Sequence, residues 1–187
     1  MNENAQILLA RQGDEQAWLA LVRQYQTIVF RFAWLLLDDA DEADDVAQET
    51  FIRAFRSLDS FDLERPLRPW LLQIAKHLAS NRRRSLRRYV AALGRWLRHQ
   101  SAELDDPIVH YSQVAVADEL RQAVQRLDEA DQEVIYLRYF LELSVAESAE
   151  ALNVAPGTIK SRLSRALNRL RSVVADEYPD LGKEGAQ

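Results

Sequence analysis

The chain of 187 residues carries 24 Lys and Arg against 29 Asp and Glu, a formal net charge of −5, with 48% hydrophobic residues and no cysteine. This composition suits a soluble globular protein of one large or two small domains and excludes disulfides and cysteine-ligated metals. No apolar run approaches the roughly 20 residues of a membrane span, and the N-terminus lacks the basic and apolar regions of a signal peptide, so a cytoplasmic location is expected.

Few Gly and Pro and few alternating β-branched runs predict an all-α fold. Residues 14–37 read as a helix with Asp14 as N-cap and Trp18, Leu21, Val22, Tyr25, Val29, Phe32 and Leu36 as its apolar stripe. In residues 41–58, Ala43, Val46, Ala47, Thr50, Phe51, Ala54, Phe55 and Leu58 form a second stripe. That leaves Asp44, Asp45, Gln48, Glu49, Ile52, Arg53 and Arg56 facing outward. A third helix follows Pro66 and Pro69 and buries Trp70, Leu71, Ile74, Ala75 and Leu78. Gln73, Lys76, His77, Ser80, Asn81 and Arg84 line its other side. These three faces can close one core.

Residues 85–116 read as a linker, in which Tyr89, Leu93, Trp96 and Leu97 form a short amphipathic helix ended at Pro107. Residues 127–140 form a further helix burying Val134, Ile135 and Leu137. Next come a short helix at 145–152 with Val145, Ala149 and Leu152 on one side, a turn at Asn153 suited to a left-handed conformation, and a long helix opened by Pro156. In that last helix Ile159, Leu163, Ala166, Leu170 and Val174 make the buried stripe, while Thr158, Ser161, Arg162 and Arg165 share another face. No acidic residue occurs from 152 to 174. A short helix, a tight turn and a helix with a polar, basic first half is the helix-turn-helix arrangement, which places donors in a DNA major groove. The bland alternative is a helical hairpin with solvated arginines.

Charge is segregated along the chain. Seven acidic residues and no basic one lie in 38–49, whereas 65–100 holds ten basic residues and no acidic one. Two basic surfaces separated by acid suggest two nucleic-acid contacts and a basic partner surface. Only Lys76, Lys160 and Lys183 interrupt an otherwise all-Arg basic set, which favours bidentate phosphate and base contacts.

The run from Ala43 to Phe55 (Ala-Asp-Asp-Val-Ala-Gln-Glu-Thr-Phe-Ile-Arg-Ala-Phe) resembles the second-domain helix of bacterial extracytoplasmic-function (ECF) sigma factors. Pro69 to Leu78 is similar to the family's next helix, and Gly157 to Ala166 to its fourth-domain recognition helix, in family order. The resemblance implies a second domain at 1–88, a linker at 89–115, a fourth domain at 116–175 and a tail at 176–187. It implies an alternative sigma factor that binds core RNA polymerase, directs it to promoter DNA and helps to melt the −10 region.

By the same resemblance, Asp45, Gln48, Glu49 and Ile52 dock on the clamp coiled coil of the largest polymerase subunit. Asp59, Ser60, Phe61, Lys76, His77, Asn81 and Arg84 meet the −10 element, with Arg82 and Arg83 continuing that surface. Thr158, Lys160, Ser161, Arg162 and Arg165 read the −35 element, helped by the flap of the second-largest subunit. An anti-sigma factor is a further partner that the family allows. The chain departs from the family at Leu67, where Phe is frequent, at Leu127-Asp128-Glu129, at Ser148, a usually aliphatic position, and at Asn153, where Gly is common.

Two other classes compete with this reading. A stand-alone helix-turn-helix regulator would bind its operator without polymerase, although no dimer interface is evident. A metal-dependent helical enzyme could use the acidic run, but it lacks the Gly of an EF-hand loop, and His77, His99 and His110 lack ligand spacing. With no nucleophile–base pair and no phosphate-binding Gly-rich loop, the expectation is no enzyme activity, no metal and no cofactor.

Overall fold

A computed structural model describes residues 2–97 and 114–178, with side chains described at 2–85 and 118–178. Every regular element among these residues is helical. The N-terminal domain holds α1 (Glu3–Arg11), α2 (Glu15–Leu37), α3 (Ala40–Ser57), a 3-10 turn (Leu58–Ser60) and α4 (Leu67–Leu97). The C-terminal domain holds α5 (Val114–Gln125), α6 (Glu129–Ile135), a π-helical turn (Tyr136–Phe140), α7 (Val145–Leu152) and α8 (Pro156–Glu177).

Side-chain caps set the helix starts. Asp14 accepts the Ala17 N–H at 3.0 Å to open α2, and Asp39 accepts that of Glu42 at 2.9 Å to open α3. Between them Asp38 sits at φ 57°, the left-handed residue that lets two long helices reverse direction without a glycine. Leu21, Val29, Phe32 and Leu36 from α2 then meet Ala43, Val46, Phe51 and Ala54 from α3, with Leu67, Leu71, Leu72 and Ala75 from α4 closing the core. Burying a Leu or Phe of this kind contributes about 1.5–3 kcal/mol. Thr50, fully buried, satisfies its hydroxyl by donating to the Val46 carbonyl at 2.7 Å.

Three features differ from the sequence reading. Helix α1, outside the expected elements, packs Ile7 and Ala10 into the core. Phe55 is 51% exposed rather than buried, because it lies at the edge of the α3 stripe and rests on Trp18, with ring centroids 5.2 Å apart. Helix α4 runs unbroken to Leu97, so the boundary expected at residue 88 falls inside a helix and the expected linker helix is its continuation. The rest of the linker, with His99 and His110, lies outside the described residues, as does most of the tail.

In the C-terminal domain Asp128 caps α6, and the buried Gln132 side chain donates to the Gln125 and Leu127 carbonyls at 3.0 and 2.7 Å. It thereby ties the end of α5 to α6. A capping box opens α7: the Glu147 N–H donates to the Ser144 hydroxyl at 3.1 Å, and the Ser144 N–H to the Glu147 carboxylate at 2.8 Å. Asn153 ends α7 at φ 54°, as its position in the turn predicts, and Pro156 takes the first turn of α8. Ser148, buried where an aliphatic residue is usual, donates to the Ser144 carbonyl at 2.8 Å, so the polar substitution leaves no unpaired group.

Candidate nucleic-acid interface

The outward face of α3 is as the periodicity predicts. Asp44, Asp45, Gln48 and Ile52 are exposed, with Ile52 at 45%. Their polar groups are held locally: Gln48 donates to Asp44 at 2.6 Å, Glu49 pairs with Arg53 at 2.7 Å, and Asp45 pairs with Arg82 of α4 at 2.9 Å. Beside them Val22, Phe30, Ala47, Phe51 and Ile52 line an open apolar groove of about 600 Å³ between α2 and α3. An apolar groove rimmed by exposed polar side chains is the physical signature of a protein-binding surface.

The segment joining α3 to α4 is built by groups that sequence reasoning missed. Arg11 of α1 donates to the Leu58 carbonyl at 2.9 Å and to that of Phe61, and Asn4 donates to the Leu63 carbonyl at 3.3 Å. No periodicity reveals such side-chain-to-backbone ties across about 50 residues of sequence. Asp59 and Ser60 are exposed on this frame, with the Ser60 hydroxyl donating to the Ser57 carbonyl at 2.8 Å. Phe61 is not: it is 6% exposed and packs on Trp70 with ring centroids 4.7 Å apart. Its ring is therefore part of the frame rather than of the outer surface.

On α4 the expected basic surface divides into two stripes. His77, Asn81 and Arg84 face solvent. Lys76 and Arg83, each one residue and so about 100° around the helix from His77 and Arg84, face the C-terminal domain: Lys76 Nζ lies 3.6 Å from Glu133, and Arg83 donates to Gln132 at 2.8 Å and lies 4.0 Å from Glu129. Burial raises the Glu133 carboxyl above its ordinary range, against the lowering attraction of Lys76 and of Arg162. The Glu133 carboxylate is thus attracted both by Lys76 of α4, 3.6 Å away, and by Arg162 of α8.

Helix α8 buries Ile159 and Ala166 and leaves Lys160, Ser161 and Arg165 exposed, with Thr158 and Arg162 half-buried. Ser161 donates to the Thr158 carbonyl at 3.1 Å and Arg165 to that of Ser161 at 3.3 Å. Both donors are folded back on their own helix. Ala155, the N-cap, supplies no side-chain acceptor, and a Cβ at Gly157 would meet nothing within 4 Å. The first turn therefore presents open space, while Pro156 carries no N–H and those of Thr158 and Ile159 already donate to the Ala155 carbonyl at 2.9 and 3.3 Å. Arg169 is committed elsewhere, pairing with Asp128 at 3.0 Å and with the buried Asp131.

Among known proteins, residues 21–89 match the family described as Sigma-70 region 2 and residues 117–170 the family Sigma-70, region 4. The chain is 31% identical over 174 residues to the ECF RNA polymerase sigma factor SigW of Bacillus subtilis (strain 168), covering 89% of this chain and 93% of that one. It is 33% identical over 174 residues to the ECF RNA polymerase sigma factor SigC of Mycobacterium tuberculosis (strain CDC 1551 / Oshkosh), covering 92% and 90%. Of solved structures, CnrH in complex with the cytosolic domain of CnrY superposes with a TM-score of 0.70 at 21% identity, covering 94% of this chain and 98% of that one, a likeness of fold. The sigma factor RpoE with the anti-sigma factor NepR, from Bartonella quintana, gives 0.58 at 27% identity, covering 88% and 98%. With both regions matched in order and relatives aligned along nearly their whole length, the chain belongs to the ECF sigma factors, alternative sigma factors for transcription initiation by RNA polymerase.

Proposed function

We propose that this sigma factor docks on core polymerase through Asp45, Gln48, Glu49 and Ile52 of α3, on the clamp coiled coil of the largest subunit. The carrying observation is that Ile52, 45% exposed, and its polar neighbours stand beside an apolar groove on a helix whose other face is already spent on the core. Asp59 and Ser60 then receive an unstacked base of the −10 strand, on a loop that Phe61, Arg11 and Asn4 hold rigid. Holding such a base traps the opened duplex, since extrusion itself costs a few kcal/mol. Lys76, His77, Asn81 and Arg84 follow the adjoining phosphates and base edges.

Thr158, Lys160, Ser161, Arg162 and Arg165 enter the major groove of the −35 element, where the open space at Gly157 admits the DNA backbone. The apolar groove formed by Leu120, Val124, Ile135, Tyr139, Phe140, Leu167 and Leu170 on the C-terminal domain suits the flap of the second-largest subunit. An anti-sigma factor, the partner named for RpoE of Bartonella quintana, would compete for these surfaces.

The absence of cysteine makes the test direct. Single cysteines at Gln48, Ser60 and Ser161, each carrying a photoactivated cross-linker, are assembled with core polymerase and promoter DNA. Cross-links from 48 to the largest subunit, from 60 to the −10 strand and from 161 to the −35 duplex support the assignment. Cross-links from 48 to DNA, or from 161 to polymerase alone, would overturn it.

A further inference from the structure

Helix α1 carries two kinds of residue at helical spacing. Ile7 and Ala10 turn into the core, whereas Asn4 and Arg11, two turns and so about 10 Å apart along the axis, share another face. That face is laid along the segment from Leu58 to Leu63. Arg11 donates through Nε to the Leu58 carbonyl at 2.9 Å and through a terminal nitrogen to the Phe61 carbonyl, so one planar guanidinium brackets Asp59 and Ser60. Asn4 holds the far end through the Leu63 carbonyl at 3.3 Å.

The backbone bonds within this segment are short in range. The Phe61 N–H donates to the Leu58 carbonyl at 3.1 Å, and the Arg65 N–H to the Asp62 carbonyl at 3.1 Å. Bonds of this kind shape each turn but do not set its place on the domain. The buried Leu58 and Phe61 side chains anchor the segment from beneath, and α1 fixes it from the side. Helix α1 is itself fastened to α2, because the Asp14 N–H donates to the Leu9 carbonyl at 3.1 Å and the Tyr25 hydroxyl donates to the Glu3 carboxylate. The result is a segment with the Leu58, Phe61 and Leu63 carbonyls turned to α1 and with Asp59, Ser60 and Asp62 exposed.

We propose that Arg11 and Asn4 are positioning residues for promoter melting: α1 sets the 58–63 loop in place before DNA arrives, and the Arg11 bracket fixes where Asp59 and Ser60 meet an extruded base. This rests on the reading of that loop as the one that captures the base. A base leaving the duplex gives up its stacking and pairing, so capture favours opening most when the receiving groups need no ordering of their own. The chemistry of the bracket requires arginine. A lysine ammonium is a point charge on a flexible stem and cannot span two carbonyls in a fixed geometry.

The test uses the full chain, free and assembled with core polymerase. Arg11→Lys keeps the charge and a good helix former while removing the bracket, and Asn4→Ala removes the tie at the other end. In the free Arg11→Lys protein, hydrogen exchange of the amides at 59–63 should quicken about tenfold, the factor for one lost hydrogen bond to a charged donor, with exchange in α2 unchanged. In the holoenzyme, closed complexes should form normally, permanganate reactivity in the −10 region should fall about tenfold by the same reckoning, and base preference at the captured position should relax. Asn4→Ala should show the same changes more weakly, and it carries the comparison if Arg11→Lys melts below the assay temperature. Added to Asp59→Ala with Ser60→Ala, Arg11→Lys should cause no further loss of opening, because it acts through those two side chains. A general loss of stability would produce neither the relaxed preference nor this non-additivity. Unchanged loop exchange, full opening by Arg11→Lys, or a further loss on the double-variant background would overturn the proposal. Normal opening by the Asp59→Ala, Ser60→Ala protein would instead refute the base-capture reading, leaving the exchange rates to decide whether α1 holds the loop.

Discussion

Arg82 of α4 holds Asp45 of α3 at 2.9 Å, with Glu42 on the same guanidinium at 3.0 Å. Asp45 is still 61% exposed on its side chain, so the pair fixes the carboxylate's direction without hiding it. A solvent-exposed ion pair of this kind contributes about 0–1 kcal/mol to folding. The acidic face of α3 is thus dispensable for the fold and available to a partner.

Reversing that face separates the two roles. Asp45→Arg with Glu49→Arg should retain full helicity and lower the melting temperature by no more than about 2–4 °C, the equivalent of roughly 1 kcal/mol in a chain of this size. Capture by core polymerase should fall severely. Circular dichroism and a pull-down check the two halves, and unchanged capture would remove α3 from the docking surface.

The loop between α3 and α4 divides at Phe61. Asp59→Ala with Ser60→Ala removes two exposed side chains, so the protein should fold normally and form closed complexes while thymine reactivity to permanganate in the −10 region drops. Phe61→Ala instead empties the contact with Trp70 and should cost about 3–5 kcal/mol of stability. Normal promoter melting by the double variant would exclude the loop from base capture.

How far the sequence speaks differs between fold and site. The stripes of α2, α3 and α8, the Asp14 cap, the left-handed Asn153 and the turn at Pro156 were legible, because each depends on neighbours within one or two helical turns. Phe61, Arg169 and Arg11 were not. A conspicuous loop aromatic reads as a −10 contact, yet Phe61 fills the core beside Trp70, and nothing near Arg169 in sequence points to the buried Asp131 that it answers. Helix α1 also escaped notice, since its role is to pin a loop through Arg11 and Asn4.

Arg162 and Arg169 of α8 should therefore behave oppositely. Arg162→Ala is expected to cost about 1–3 kcal/mol in promoter discrimination and to relax preference at one −35 position, with stability nearly unchanged. Arg169→Ala should destabilise the C-terminal domain by about 1–3 kcal/mol, because the Asp131 carboxylate is left buried with its charged partner gone, and should not alter base preference. A promoter library read alongside thermal melts decides. Uniform loss across the library for Arg162→Ala would make that residue a phosphate anchor.

Stability should report on Glu133. Burial raises its carboxyl, so its contribution to the fold is complete at pH below the ordinary carboxylate range and is lost as pH rises through the raised value. The neutral isostere Glu133→Gln keeps a hydrogen-bond acceptor for Lys76 and avoids that loss. It should melt higher than wild type at pH 8, with the gap closing as pH falls toward 4. A gap that widens on acidification would contradict the burial assigned to this side chain.

Run-off transcription from a promoter library with core polymerase, with and without this protein, tests promoter-specific initiation most directly. Core alone should initiate without preference, and addition of the protein should yield discrete transcripts from a subset of promoters sharing −10 and −35 sequences. The Asp45→Arg, Glu49→Arg variant should yield none. Transcripts identical with and without the protein, alongside tight specific DNA binding by the protein alone, would contradict a sigma factor and return the chain to the stand-alone helix-turn-helix class.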